Sequence, residues 1–208
     1  MEENEVQRYD NAFHECGHLI ISKYFHELFE VDYVTLDIDL AKELDAQSLG
    51  GLKFNAKVLF DSMSVSDHDK VILMSLAGLC ADDIYFYCGE VNQGEFLPRV
   101  WDNKFQNSRY SGDIPIFYKH FERIKDSVYD THIIFITITL RQICELMAGI
   151  KVWPILTSMR TALLESKDKT LTDDRINEIL EGAMFSEFIN STKANFINDR
   201  ADLYKGNY

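Results

Sequence analysis

The segment DKVILMSLAGLCADDIYFY, residues 69 to 87, constrains the fold of this chain more than any other. It contains no Pro, and its apolar residues run nearly all the way round a helical wheel. A helix of that kind has to be covered on every side. The pattern therefore predicts a central helix, with Ser66 and Asp67 as candidate caps at its start and its end near Gly89. From about Glu5 to Phe29 there is again no Pro, and Phe13, Leu19, Ile20 and Tyr24 recur at helical spacing, which predicts a second long helix. VDYVTLDIDL, residues 31 to 40, is rich in strand formers, and GGLKF after Gly50 reads as a returning strand. Together they predict a small sheet packed on the first helix.

The remaining chain reads mostly as helix. Residues 89 to 110 mix Gly, Asn, Gln and Trp101 without period and predict a long surface loop. SGDIPIFYKHFERI opens a helix with Ser111 as its cap and Pro115 in its first turn, where Pro is tolerated. Helices are expected at about 127 to 148, from Pro154 to Ser166 and from Thr172 to Leu180, with an amphipathic tail at 184 to 198. The expected fold class is mainly α (α+β), in a single domain over residues 1 to 208, because 208 residues suit one core and no linker-like stretch divides them.

Composition narrows the function. The chain has 21 Lys and Arg against 34 Asp and Glu, a net charge of −13, so a phosphate backbone would be repelled over most of its surface. Cys16, Cys80, Cys88 and Cys144 form no CxxC pair, and three of them fall in apolar helical patterns, which fits free thiols in a reducing compartment. MEENEVQRYD lacks an apolar signal-type region, and the most apolar run, THIIFITITL, is stopped by Arg141 and Glu145 short of the ~20 residues of a membrane span. A cytoplasmic location and no membrane span are the expectation.

The chemistry is concentrated in NAFHECGHLII, residues 11 to 21. Residues four apart on a helix lie about 40° apart around its axis, so the imidazoles of His14 and His18 can converge on one ion while Glu15 projects beside them. In zinc hydrolases of the HExxH type that Glu is the general base, acting on a water whose pKa the ion has lowered to about 7. Gly17 costs about 1 kcal/mol in a helix interior, so its presence points to something that approaches the backbone there. A catalytic zinc normally has three protein ligands. Ile21 and Tyr24 stand where a metzincin would have Gly and His, which excludes that class. Asp82, Asp83 and Asp113 remain as candidates. His26, His68, His120 and His132 lack ligand spacing and read as surface or packed histidines.

At this point the chain resembles the zinc peptidase domain of FtsH-type ATP-dependent proteases. AFHECGHLII is similar to that family's HEAGH helix, with Cys16 in place of Ala, and VDYVTLDID with LGGLKF is similar to its strand pair beside the active site. ILMSLAGLCADDIYF resembles the pattern LAGRAAEELxF, with Leu79 replacing Arg and Asp82 and Asp83 replacing two Glu. YSGDIPIFYK takes the place of GAxxDIxxAT, and ALLESKDKTLTDDRINEIL is close to the family's LLExxTLxxxEIxxIL ending. The resemblance implies Zn2+ held by His14, His18 and Asp113, with Glu15 as general base. It further implies a metallopeptidase acting on short or unfolded polypeptides, because no ATPase module and no transmembrane helix accompany the domain. An extended peptide is then expected along the sheet edge near Val34 to Asp37. A homo-oligomer or a separate ATPase partner is compatible with the same reading. The alternative from another class is a non-catalytic zinc-containing module for peptide binding or assembly.

Overall fold

The computed structural model describes residues 3 to 44, 50 to 86, 112 to 129 and 131 to 205, with the backbone alone for residues 3 to 10. The elements run α1 (Glu3–Tyr24), β1 (Phe29–Thr35), α2 (Ile38–Leu44), β2 (Gly51–Ala56), α3 (Val65–Phe86), α4 (Asp113–Ile124), α5 (His132–Ala148), α6 (Val152–Glu165), β3 (Thr170–Thr172), α7 (Asp173–Gly182) and α8 (Phe185–Ala201). The fold is mainly helical with one small antiparallel sheet, as the sequence predicts. The loop expected at 89 to 110, with Trp101, and the cap expected at Ser111 lie outside the described residues.

The segment that demanded cover receives it. Every residue from Val71 to Ile84 is buried, with α1, α4 and α5 packed around α3. Its cap differs from expectation by one element of local chemistry. The Asp67 carboxylate accepts from the N–H (3.0 Å) and hydroxyl (2.8 Å) of Ser64, while the Ser64 hydroxyl accepts from the Asp67 N–H at 3.1 Å. This reciprocal box makes Ser64 the cap instead of Ser66.

Gly17 of α1 marks a close crossing with α3. A Cβ there would lie 2.6 Å from the Ala77 carbonyl oxygen and 2.7 Å from the Ala81 Cβ. The helix therefore gives up propensity at Gly17 to let the two backbones meet.

α1 stops at Tyr24 instead of near Phe29. Beyond it, Phe29 and Val31 turn inward while Glu30 and Asp32 face out, an alternation that suits a strand. β1 in turn ends at Thr35, because the Asp37 carboxylate accepts from the N–H groups of Asp39 and Leu40, both at 3.0 Å, and so starts α2. The predicted strand over 31 to 40 is thus a strand followed by a short helix.

The sheet order is β2-β1-β3, with both pairings antiparallel. β1 is the middle strand: Val34 pairs with Leu52 on one side and Leu171 on the other, and Thr35 pairs with Gly51 and Thr170. This corrects the expected peptide edge at Val34 to Asp37, because Val34 and Thr35 are already paired on both sides and Asp37 caps α2. β3 is only three residues long, and Thr172, expected as the first residue of a helix, is its last.

The C-terminal helix is tied into the core by a buried charge. Arg200, fully buried, donates through Nε to Asp69 at 2.9 Å and through Nη2 to the other oxygen of the same carboxylate, while Nη1 reaches the Thr139 hydroxyl (2.9 Å) and the Gln142 side chain (2.8 Å). One guanidinium therefore joins α8, α3 and α5. Removing either partner of such a pair typically costs about 3–5 kcal/mol. Cys16, Cys80 and Cys144 form no disulfide and are buried, as their apolar surroundings imply. Among the described residues no single helix is long and apolar enough to cross a membrane.

The crossing of α1 and α3 yields a stability test. Gly17→Ala gains about 1 kcal/mol of helix propensity, but overpacking typically costs about 1–3 kcal/mol. The first atom met is a backbone carbonyl, which has little room to yield. The substitution is expected to lower the urea midpoint; an unchanged or raised midpoint would show that the two helices separate freely.

Candidate metal centre

The site forms where α1 and α4 both lean on α3. α1 supplies His14, Glu15 and His18, and all three are buried. Asp113, the first residue of α4, brings one carboxylate oxygen to each ring: Oδ2 lies 3.0 Å from His14 Nε2 and Oδ1 lies 3.3 Å from His18 Nε2. The two Nε2 atoms are themselves 3.0 Å apart. One ligand atom from each of the three residues falls within 4.8 Å of the others.

The far side of each ring is held as well. His18 Nδ1 donates to the carbonyl oxygen of Met74 at 2.7 Å, and His14 Nδ1 lies 3.1 Å from the Asp82 carboxylate. A carbonyl and an ionised carboxylate can only accept, so both Nδ1 atoms carry the hydrogen. In the neutral rings both Nε2 atoms then present lone pairs to each other and to the Asp113 carboxylate. Three acceptors facing one point in a buried setting call for a shared cation, or for a proton on one ring that is then donated to Asp113.

Gly78 of α3 makes room for this arrangement. A Cβ at that position would stand 2.4 Å from His18 Nε2 and 2.6 Å from His14 Cε1. Sequence reasoning passed over Gly78; its only signal was a glycine in the middle of an otherwise well-formed helix. On the other side, Gly50 just ahead of β2 packs on Glu15, where a Cβ would come within 3.0 Å of Glu15 Cγ and Oε1. Among the described residues the Glu15 carboxylate makes no hydrogen bond, which leaves it available to a water or a substrate.

The electrostatics follow the geometry. Burial disfavours a charged His14, but Asp82 and Asp113 outweigh it and raise its pKa well above the usual value. His18 is likewise penalised by burial and raised by Asp113. Burial would push Asp113 up, yet His18 and His14 hold it below the ordinary carboxylate range. Glu15 moves the other way: burial raises it, with the histidines opposing. The site therefore favours a retained positive charge at the histidines and a base of raised basicity at Glu15.

The structure brings together His14, Glu15, His18 and Asp113, the four residues singled out from the sequence. Of the other two candidates, Asp82 contacts His14 from behind, and Asp83 is buried and is not one of the three-ligand group. His26 and His132 are exposed, whereas His68 and His120 are buried against each other. Searches against protein-family models and curated protein sequences return no match to this chain.

Two expectations arise from this geometry. Support behind a ligand histidine is typically worth about 10–100-fold in metal affinity. Asp82→Ala is therefore expected to weaken zinc binding by that factor in a titration against a chelating dye, and Asp113→Ala by more. The second concerns pH in chelated, metal-free protein. His14 and His18 have raised folded pKa values, so the stability they contribute is full below the unfolded value of about 6.5 and is lost as pH rises through the folded values. Glu15, also raised, acts in the same direction. The denaturant midpoint is expected to fall from pH 6.5 upward; a midpoint rising over that range would contradict the assigned electrostatics.

Proposed function

We propose that His14, His18 and Asp113 hold a zinc ion and that the chain is a zinc-dependent metallopeptidase acting on short or unfolded polypeptides. The observation that carries this reading is the convergence of two Nε2 lone pairs and a carboxylate while both Nδ1 atoms are committed as donors. Two imidazoles and one carboxylate form the donor set of many catalytic zinc sites, and they leave a further coordination position open. When bound, zinc supplies a Lewis acid that lowers the pKa of a coordinated water to about 7 and polarises a peptide carbonyl.

The chain's own residues supply the rest. Glu15 stands directly after the first ligand on the same helix and takes the proton of the attacking water, then returns it to the leaving amine. Its buried surroundings raise its proton affinity toward the range in which a general base works best near neutral pH. Asp82 and the Met74 carbonyl keep both imidazoles turned with Nε2 toward the reacting centre. A peptide would lie along β2, which among the described residues pairs with β1 alone and begins beside Glu15. Main-chain pairing on an open strand edge accepts extended segments and not folded domains.

The resemblance to the FtsH-type peptidase domain supports the same assignment, residue by residue, at His14, Glu15, His18 and Asp113. The competing reading is a zinc-containing module that binds peptides without cutting them.

Protein purified without chelator, added metal or a histidine tag is expected to carry close to one zinc per chain by elemental analysis. Glu15→Gln is expected to retain that zinc and the fold while its cleavage of a denatured protein falls by about 10²–10⁴-fold, the usual worth of a general base. No metal uptake at all would overturn the site. Zinc and peptide binding with no cleavage in either protein would establish the non-catalytic module.

A further inference from the structure

A second pair of buried histidines joins α3 and α4 away from the metal centre. His68 lies near the start of α3 and His120 in the later turns of α4. Their Nδ1 atoms are 2.9 Å apart, with ring centroids 5.0 Å apart. Phe60 closes over them, its ring edge-on to both at 5.3 and 5.1 Å.

At that separation there is room for one proton between the two nitrogens. One ring donates, and the other accepts through its lone pair. A proton taken up at the donor ring's Nε2 leaves this bond in place, whereas a charge on both rings removes the acceptor and sets two N–H groups against each other inside a buried seam. Of the surrounding charges, Asp67 favours a charge on His68, while Arg123 and Lys119 oppose charge on the pair. From α4, the Lys119 ammonium and the Arg123 guanidinium both sit over Phe60, 4.4 and 4.8 Å from its centroid. From the turn carrying Phe60, Asp61 pairs with Arg123 at 3.2 Å. On α3, Asp67 is engaged by Ser64 and lies 4.0 Å from Lys70. From α5, His132 meets Phe121 beside the pair. Burial, with His68 and Lys119, holds His120 down to about 4, and burial with Arg123 lowers His68.

The position of the pair gives it reach. His120 lies seven residues beyond Asp113 on α4, two helical turns or about 10 Å along one face. The same helix is thus fastened to α3 at one end by the histidine pair and offers Asp113 to His14 and His18 at the other.

We propose that the His68–His120 pair is an acid-sensitive latch, which once both rings are protonated unfastens α4 from α3 and withdraws Asp113 from His14 and His18. The consequence for the metal rests on the zinc reading above, whereas the latch itself does not. Because the folded values lie below the unfolded one, the latch contributes fully above about pH 6.5 and is lost as pH falls toward 4. This is opposite in sign to the metal-free effect of His14 and His18, and it occupies a separate pH window.

The test compares wild type with His120→Asn, both metal-free, by hydrogen exchange of α4 amides between pH 7 and 4.5, corrected for intrinsic exchange. An asparagine amide donates to a neutral imidazole and accepts from a charged one, so the variant keeps the contact at both ends of the range. Every other titrating group is common to both proteins and cancels. Wild-type protection of residues 113 to 124 is expected to fall by up to about tenfold per pH unit through the window, while the variant holds. Constant wild-type protection, or an equal fall in the variant, would overturn the latch. His68→Asn is the reciprocal replacement, and it carries the test where His120→Asn does not fold. A parallel zinc titration separates the two readings: wild-type affinity is expected to fall more steeply with acid than that of the variant. If neither protein binds zinc at pH 7, the metal reading alone fails and the latch is judged on α4 protection.

Discussion

Helix backbones come into contact only where side chains give way, and the packing of α1 on α3 depends on that. Gly17 lets the Ala77 carbonyl approach on one side of the crossing, and Gly78 opens the space into which both imidazoles project on the other. Moving the axes apart by the width of a methyl group would take the Met74 carbonyl and the Asp82 carboxylate away from the rings they orient. Protein interiors are packed too densely to absorb such a shift elsewhere. The close crossing therefore fixes the core and the chemistry together.

Burial gives that crossing its electrical character. In a poorly screened interior a carboxylate beside an imidazole is strongly felt, and so is a missing counter-charge. At the candidate metal centre two carboxylates favour charge on the rings. At the His68–His120 pair burial, with Lys119 and Arg123, disfavours charge and outweighs Asp67. Two histidine pairs packed on α3, one from α1 and one shared with α4, thus have opposite proton preferences, set by the sign of the groups around them.

The features legible in the sequence are those whose cause is local. The all-round apolar pattern of α3 and the i, i+4 histidines carry their reason within a few residues, and Gly17 is a local anomaly whose cause, the Ala77 carbonyl, lies on α3. The fold class followed from these patterns. Other features depend on partners far along the chain. β3 is three residues whose only reason to be a strand is β1, more than a hundred residues earlier. Arg200 reads as one charge in an amphipathic tail until Asp69 is found opposite it. His68 and His120 have no spacing signal because their seam is made by two antiparallel helices. α2 had a local signal in Asp37, a capping residue hidden by the strand formers before it.

The anchoring of Arg200 bears on the order in which the molecule assembles. Asp69 belongs to the central helix, yet the guanidinium that meets it lies 131 residues later and reaches the core from the last helix. Contacts so distant in sequence close late, because the entropy of the intervening loop has to be overcome first. An incomplete chain ending before α8 therefore holds a carboxylate facing an apolar core without its guanidinium, which disfavours premature collapse around α3. Completion of the core waits on the arrival of the final helix, so the helices are expected to consolidate together in one cooperative step and not one after another from the N-terminus.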